Sequence, residues 1–399
     1  MMKARNLDER IRLLFEPRSV AVVGASREPG KIGYAVLKNI LSGGYRGRVY
    51  PINPAGGEIE GIPVRRSLQE VDGEIDVAVV TIPAHLVFSA VQDLCRKNVK
   101  NAVLISAGFS EIGNLEEERK ISDYANERGM RILGPNVFGI YSSSSDLNAT
   151  FVSGNIPRGR LAMITQSGAL GLTLVGQASV EHIGLSAIVS VGNKSDIDEG
   201  DLLEYLRAHD ATSMVLLYIE GIRNGEKFIS TIKDITRVKP VVIIKSGRSQ
   251  RGAMAAASHT GSLAGSDDLF DAIARQCGAL RAESTKEAFN WCKFMTNNPL
   301  PRGENTVIIT NGGGAGVMAT DACEKYSIPL YDDAHDLKRI FGAAVPSFGS
   351  TKNPVDVTGN ASPRDYTKAF DAALQSENIH TVVGIYCEAA IVPADSLKE

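Results

Sequence analysis

Ser19-Val-Ala-Val-Val-Gly24-Ala-Ser-Arg-Glu-Pro-Gly30-Lys-Ile-Gly33 decides the fold. The apolar run Val20 to Val23 is continuous, as a strand covered on both faces requires. Gly24, Gly30 and Gly33 then supply a turn that opens into a helical pattern, IGYAVLKNILS. Strand, glycine turn and helix make the first half of a βαβ unit. The same punctuation follows RVYPIN (48–53), DVAVVTIP (76–83), NAVLISAG (101–108) and RILGPN (131–136). An α/β fold with a parallel sheet is expected, with ligands at the carboxyl ends of its strands.

A second series carries the pattern on through RLAMITQSG (160–168), LSAIVSVGN (185–193), SMVLLYIEG (213–221), PVVIIKSG (240–247) and a weaker GALRAES (278–284). A third begins with TVIITNGGGAG (306–316) and continues through YSIPL (326–330) and TVVGIYCEAA (381–390). The polar stretch YSSSSDLNAT (141–150) reads as the end of the first domain, and TNNPLPRGEN (296–305) as a linker. The expected domains are 1–145, 146–297 and 298–399, the last with too few elements to close a sheet of its own. Ile164-Thr-Gln-Ser-Gly-Ala-Leu-Gly171 and Ile309-Thr-Asn-Gly-Gly-Gly-Ala-Gly316 share ITxxGxxG, which suggests similar units.

The 399 residues exceed what one core accommodates, and a formal net charge of -3 with interspersed signs leaves no footprint for nucleic acid. No apolar run reaches the roughly 18 residues of a membrane span, and MMKARNLDER is not a signal peptide, so a cytoplasmic protein without membrane partners is expected. The five cysteines are scattered, never CxxC, and read as reduced, buried thiols; no metal site is expected.

The turn Gly24-Ala25-Ser26 through Lys31 can bring backbone and helix N–H groups to a phosphate, with the lysine charge added. Glycine-rich turns also serve packing alone. The GxGxxG spacing is absent, and the second strand ends at Asn53-Pro54 without a carboxylate for a ribose. That disfavours an NAD-dependent oxidoreductase and points to coenzyme A. Ile82-Pro83-Ala84, Ser106-Ala107-Gly108 and Gly134-Pro135-Asn136 should line the same crevice. Gln166-Ser167-Gly168 and Gly312-Gly313-Gly314 repeat the strand-to-helix turn without a nearby lysine, which suits a small anion such as phosphate.

Six histidines are present, and most read as surface or satisfied core residues. His259 differs. It sits in Ala255-Ala-Ala-Ser-His-Thr-Gly-Ser-Leu-Ala-Gly265, a run with no bulk to pack and no charge to solvate. A loop that carries a nucleophile close to successive partners needs such neighbours. Imidazole is a competent phosphoryl acceptor, and Glu220, at the end of an apolar strand, is an available orienting carboxylate. The plainer reading of Glu220 is a capping or salt-bridge group.

With these segments in view, the chain resembles the α part of the NDP-forming acyl-CoA synthetases, relatives of succinyl-CoA synthetase. The matching motifs include VAVVGASREPGKIGYAVLKNI, ILGPNVFGIYS, ITQSGALG, VGNKSDIDEGDLLEYL, KSGRSQRGAMAAASHTGSLAGSD, ITNGGGAGVMATDACEK and NPVDVTG. The resemblance implies a Rossmann-like CoA-binding domain followed by flavodoxin-like parallel-sheet ligase domains, the last incomplete. It places His259 on the phosphorylated histidine, Glu220 on the carboxylate that steadies it, and the two ITxxGxxG turns on the helix ends that hold phosphate. Gly24, Ala25, Ser26, Lys31, Asn53, Pro54, Ile82, Pro83, Ser106, Gly108 and Asn136 fall on its CoA side.

The implied reaction is acyl-CoA + ADP + phosphate ⇌ acid + CoA + ATP, with a small carboxylic acid and its thioester as substrates. No ATP-grasp sequence is present, so ADP or ATP with Mg2+ belongs on a β subunit or fused domain, and a hetero-oligomer is expected. The competing reading is a non-catalytic CoA-binding regulatory module of synthetase-like fold, as in some protein acetyltransferases. Those regions often lack the histidine, which is intact here.

Overall fold

The computed structural model describes residues 8–249, 251, 252, 254, 266–299 and 301–388. They divide into two compact units between Asn298 and Pro299.

The first unit opens with α1 (Glu9–Phe15), capped by the Asp8 carboxylate, which accepts from the Arg10 backbone nitrogen at 3.0 Å. There follow β1 (Ser19–Val23), α2 (Ile32–Ser42), β2 (Arg48–Ile52), a short β3–β4 hairpin (Glu58–Ile59, Ile62–Pro63), β5 (Val77–Val80), α3 (Ala84–Arg96), β6 (Asn101–Leu104), α4 (Leu115–Glu127) and β7 (Arg131–Leu133). The strands build a parallel sheet in the order β2-β1-β5-β6-β7. Winding therefore reverses between β1 and β5, and a doubly wound sheet opens its ligand crevice at that point. Gly24 follows β1 and Thr81-Ile82 follow β5, so the glycine turn stands at the switch.

The second sheet comes from β8 (Gly139–Ser142), β9 (Leu147–Thr150), β10 (Arg158–Thr165), α5 (Gly168–Val180), β11 (Leu185–Ser190), α6 (Glu199–Ala208), β12 (Met214–Ile219), α7 (Gly225–Ile235), β13 (Val241–Lys245), α8 (Asp267–Gln276), β14 (Leu280–Ala282) and α9 (Thr285–Asn297). Its order is β14-β13-β12-β10-β11-β8-β9. The five parallel strands repeat the winding of the first sheet, reversing between β10 and β12. The weak GALRAES segment does supply a strand, β14, at the sheet edge.

YSSSSDLNAT is mostly the β8–β9 hairpin, which pairs antiparallel with β11. The 145/146 division thus falls in the turn between two strands of one sheet. Its serines disguise it: all residues of both strands are buried. The Asn39 side chain of α2 donates to the carbonyls of Thr150 (2.8 Å) and Val152 (2.9 Å), fastening the hairpin to the first sheet's helix layer. One continuous apolar core runs from Val22 and Val36 through Leu147 and Ala149 to Ile164 and Leu217, which is why both sheets fall in a single compact unit.

The second unit contains β15 (Thr306–Thr310), α10 (Gly313–Lys325), α11 (Ala334–Phe341), β16 (Val355–Asp356), α12 (Pro363–Leu374) and β17 (Thr381–Ile385), with parallel order β16-β15-β17. This is the first half of the same winding. YSIPL contributes a single bridge, Leu330 to Thr306, rather than a strand. Buried Val307, Ile309, Leu337, Phe341 and Tyr366 form its core.

Candidate active site

The carboxyl ends of both sheets of the first unit open onto one cavity of about 730 Å3. From the first sheet come Asn136 and the stretch around Ser110, Glu111, Glu118 and Arg119. From the second come Gln166, Ser167, Gly168 and Ala169 after β10, Asn193 and Lys194 after β11, and Glu220, Gly221 and Arg223 after β12. Of the residues singled out from sequence, Gln166, Ser167, Gly168, Glu220 and Asn136 meet here.

Ser167 caps α5, its hydroxyl accepting from the Leu170 nitrogen at 3.3 Å, while Thr165 Oγ1 donates to the Ser167 carbonyl at 2.9 Å. The turn is thereby fixed, and Gly168 and Ala169, the first residues of the helix, line the cavity. First-turn N–H groups have no partner within a helix and carry its partial positive charge, so they suit an anion. A Cβ at Gly168 would meet nothing within 4 Å, so the approach to this helix end is open.

Gln166 bridges the two strands at the switch point. Its Oε1 accepts from the backbone nitrogens of Glu220 (2.9 Å) and Gly221 (3.1 Å) and from Lys194 Nζ (3.3 Å). Glu220 itself is 8% exposed. Tyr218 OH donates to Glu220 Oε1 at 3.5 Å, and burial first, then Glu220, pushes the Tyr218 phenol above its ordinary pKa. Lys245 ends the neighbouring strand β13; burial lowers the pKa of its ammonium, with Asp267 opposing.

Elsewhere on the cavity lining, Asn193 Nδ2 donates to Glu111 Oε2 (2.6 Å) and Glu118 Oε2 (2.8 Å). Burial pulls the Glu111 carboxyl upward, but the Gly108 N–H and the Asn193 amide outweigh it, and its pKa falls below the ordinary range. The Gly108 nitrogen is occupied by this contact, at 2.5 Å, so its N–H serves the loop rather than a ligand.

The glycine turn of the first sheet is built for close approach. Gly24 has φ of +92°, and a Cβ there would sit 2.7 Å from Ile82 Cγ2. A Cβ on Gly33, which faces the turn from α2, would lie 2.0 Å from the Gly24 carbonyl oxygen. Asn53 is spent on the scaffold: its Nδ2 donates to the Ala25 carbonyl (2.8 Å) and its Oδ1 accepts from Ala55 N (2.9 Å). Ser106 likewise donates to the Ile82 carbonyl at 2.5 Å, joining the ends of β5 and β6. Ser26 Oγ accepts from Glu28 N at 3.0 Å. Lys31, Pro54 and Pro83 are exposed, with Lys31 3.7 Å from the Glu28 carboxylate, and none of them lines the cavity described above.

In the second unit, Thr310 Oγ1 donates to the Gly312 carbonyl (3.2 Å), the same device that Thr165 provides after β10. Asn311 takes the place of Gln166: its Oδ1 accepts from Cys387 N (2.7 Å) and its Nδ2 donates to Cys387 O (2.9 Å), clamping the end of β17. Gly313 and Gly314 then open α10. Cys277, Cys292 and Cys323 are buried as expected, whereas Cys387 is exposed. His259 lies outside the described residues.

Sequence reasoning passed over Lys194, Asn193, Glu111, Glu118 and Arg223. The available signal was VGNKSD, whose asparagine and lysine stand at a strand end like the other ligand-side residues. Among the described residues, no group of three or more His, Cys, Asp or Glu side chains is placed to hold a metal ion. No helix among them is long and apolar enough to cross a membrane.

Comparison with known proteins accords with this geometry. Residues 18–143 match the CoA binding domain, residues 158–295 the succinyl-CoA ligase like flavodoxin domain, and residues 306–399 the ligase-CoA domain. The chain is 48% identical over 392 residues to the α subunit of ADP-forming acetate–CoA ligase I of Pyrococcus furiosus, spanning 97% of this chain and 85% of that one. It is 39% identical over 379 residues to ADP-forming acetate–CoA ligase I of Archaeoglobus fulgidus, where it covers 94% of its own length and 55% of the longer relative. Among solved structures, the dinucleotide forming acetyl-coenzyme A synthetase 1 of Ca. Korarchaeum cryptofilum, in complex with phosphate and ADP, superposes with a TM-score of 0.93 at 42% identity, over 96% of this chain and 83% of that one. With such relatives spanning nearly its whole length, the chain belongs to the family of ADP-forming acetyl-CoA synthetase α subunits, built of succinyl-CoA ligase-like domains.

Proposed function

We propose that the chain works with an ATP-grasp β subunit or fused domain to catalyse acyl-CoA + ADP + phosphate ⇌ acid + CoA + ATP. The observation that carries this reading is the convergence of Gln166, the amino end of α5 and Glu220 on one cavity at the switch point of the second sheet. Strand β13 leads from the neighbouring position into the segment that bears His259.

The residues fit a CoA thioester. Gly24 and Gly33 let the turn lie close against α2 and Ile82, which sets the amino end of α2 where a diphosphate approaches. Asn53 offers no carboxylate to a ribose and instead holds the turn. Both sheets open onto the common cavity, which gives a thioester in the first domain access to phosphate in the second.

Phosphate oxygen attacks the thioester carbonyl and the C–S bond breaks, leaving acyl phosphate and the CoA thiolate. His259 then attacks phosphorus, the acyl–oxygen–phosphorus bridge breaks on the phosphorus side, and the acid departs as carboxylate. Glu220 accepts the imidazole N–H and steadies the developing positive charge, while the α5 amino end and Gln166 hold the phosphoryl oxygens. ADP on the partner takes the phosphoryl group and restores His259, with Mg2+ held there. The acid is a small carboxylate, and an acid panel in the ATP-forming direction defines it.

The test is labelling of the chain, in complex with its ATP-grasp partner, by acyl-CoA and radioactive phosphate. Acid-labile, alkali-stable label is expected, abolished by His259→Ala and slowed by Glu220→Gln. An unlabelled wild-type complex would overturn the reading in favour of a CoA-binding regulatory module.

A further inference from the structure

Lys194 is 3% exposed, follows β11, and is held at φ +55°. Its Nζ meets three acceptors: the Gly221 carbonyl at 2.5 Å, Glu199 Oε2 at 3.2 Å and Gln166 Oε1 at 3.3 Å. An ammonium has three N–H donors, and all three find protein partners here, so Lys194 has none left to offer a ligand. Its own carbonyl accepts from Arg223 Nη1, which ties the turn after β11 to the segment after β12.

The consequence falls on Gln166. Its Oε1 faces the two backbone N–H groups of Glu220 and Gly221 as well as the ammonium. Reversing the carboxamide would set an NH2 group against three donors, so the orientation is forced. The Nε2 end, for which no hydrogen-bond partner is found among the described residues, is left as a donor on the cavity wall. Glu199, itself 4% exposed, balances the charge; burial pushes its carboxyl above the ordinary pKa range, against the pull of Lys194.

We propose that Lys194 is a positioning residue, which locks the Gln166 carboxamide so that its Nε2–H group is presented to the phosphate and holds the Glu220–Gly221 turn in place. This rests on the phosphate reading of the cavity given above. Neutral substitution at 194 removes one of the three donors that hold the carboxamide oxygen and frees the Gly221 carbonyl, so the Glu220–Gly221 turn that orients the carboxamide loosens and the anion loses an aligned donor.

Inorganic phosphate binding by the full chain, followed by calorimetry, tests the proposal in a two-residue cycle. Lys194→Met and Gln166→Ala should each weaken phosphate binding by roughly tenfold or more, the scale of one hydrogen bond to a charged group. The double variant should bind about as weakly as Gln166→Ala alone, because Lys194 acts through Gln166. Lys194→Gln, which keeps a donor toward Gly221 and drops the charge, should fall between wild type and Lys194→Met. Circular dichroism melts establish that each variant is folded. A folded Lys194→Met chain that binds phosphate like wild type, or losses that add in the double variant, would overturn the positioning role alone. A wild-type chain that does not bind phosphate would overturn the phosphate reading and this proposal with it.

Discussion

The carboxamide oxygen of Gln166 lies 2.9 Å from the backbone nitrogen of Glu220, so one side chain ties together the ends of β10 and β12 at the point where the second sheet reverses its winding. Glu220 N and Gly221 N stand past the last ladder residue of β12 and find their acceptor in Gln166. Asn311 performs the matching task in the second unit by bonding both backbone groups of Cys387. The ITxxGxxG echo is therefore a repeat of one joint: a threonine that fixes the turn, an amide that clamps the neighbouring strand, and a helix that opens on glycine.

Replacing Gln166 by leucine keeps bulk and removes the acceptor. Two buried N–H groups then lack a partner, and the net cost should be roughly 2 kcal/mol. A thermal midpoint lower by about 2 °C or more is expected for the full chain. A leucine variant that melts with the wild type would show that the clamp contributes little.

Gly33 and Gly176 give opposite signs for the same substitution. A Cβ at Gly33 meets the Gly24 carbonyl oxygen at 2.0 Å, so Gly33→Ala must push the turn away from α2. Loss of about 1 to 3 kcal/mol and much weaker CoA binding should follow. Gly176, inside α5, has nothing within 4 Å of its Cβ, so alanine there should stabilise by roughly 0.5 to 1 kcal/mol. Paired melts and CoA titrations check both, and equal shifts for the two variants would contradict the packing.

How much of this was legible follows from particular residues. Val20–Val23 with Gly24 specified strand, turn and the crevice, because buried parallel strands are continuous in sequence and their ligand turns come directly after them. The β8–β9 hairpin was hidden because Ser142 to Asp146 read as loop, and its burial comes from tertiary partners, β11 beside β8 and α2 over β9. Lys194 was hidden for another reason: a lone lysine in VGNKSD has an ordinary solvated reading. Its burial depends on β11 and β12 flanking β10, an order that local sequence does not carry. Glu220 and Gln166 were legible as strand-end residues, but their mutual bond was not.

Arg131, at the start of β7, joins the two sheets through charge. Its guanidinium reaches Asp196 (2.9 Å), Asp8 (2.9 Å) and Asp201 (3.2 Å), and its side chain is 13% exposed. Burial opposes its charge, but these carboxylates outweigh it and its pKa stands above the ordinary value. Arg131→Met leaves the carboxylates facing one another without the cation, and destabilisation by about 3 to 5 kcal/mol is expected. Chemical denaturation of the variant measures it, and a loss below about 1 kcal/mol would mean that the neighbouring cations, Lys227 at 2.7 Å from Asp201 and Arg10 at 2.8 Å from Asp8, suffice without it.

His209 makes stability depend on pH. It is 7% exposed, with Nε2 2.7 Å from Ser144 Oγ and Nδ1 2.8 Å from Thr212 Oγ1, and its ring stacks on Tyr205. Burial, with Lys239 adding and Glu16 opposing, lowers its pKa below the ordinary 6.5. The unfolded chain therefore takes up this proton at a higher pH than the folded one. The contribution to stability is full above about pH 6.5 and falls as pH drops through that value toward the lower folded pKa. Wild-type stability should accordingly decline between about pH 7 and pH 5, and His209→Gln, which cannot titrate, should decline less over the same interval. Denaturation midpoints of the two proteins measured across that range decide it, and parallel curves would remove His209 as the cause.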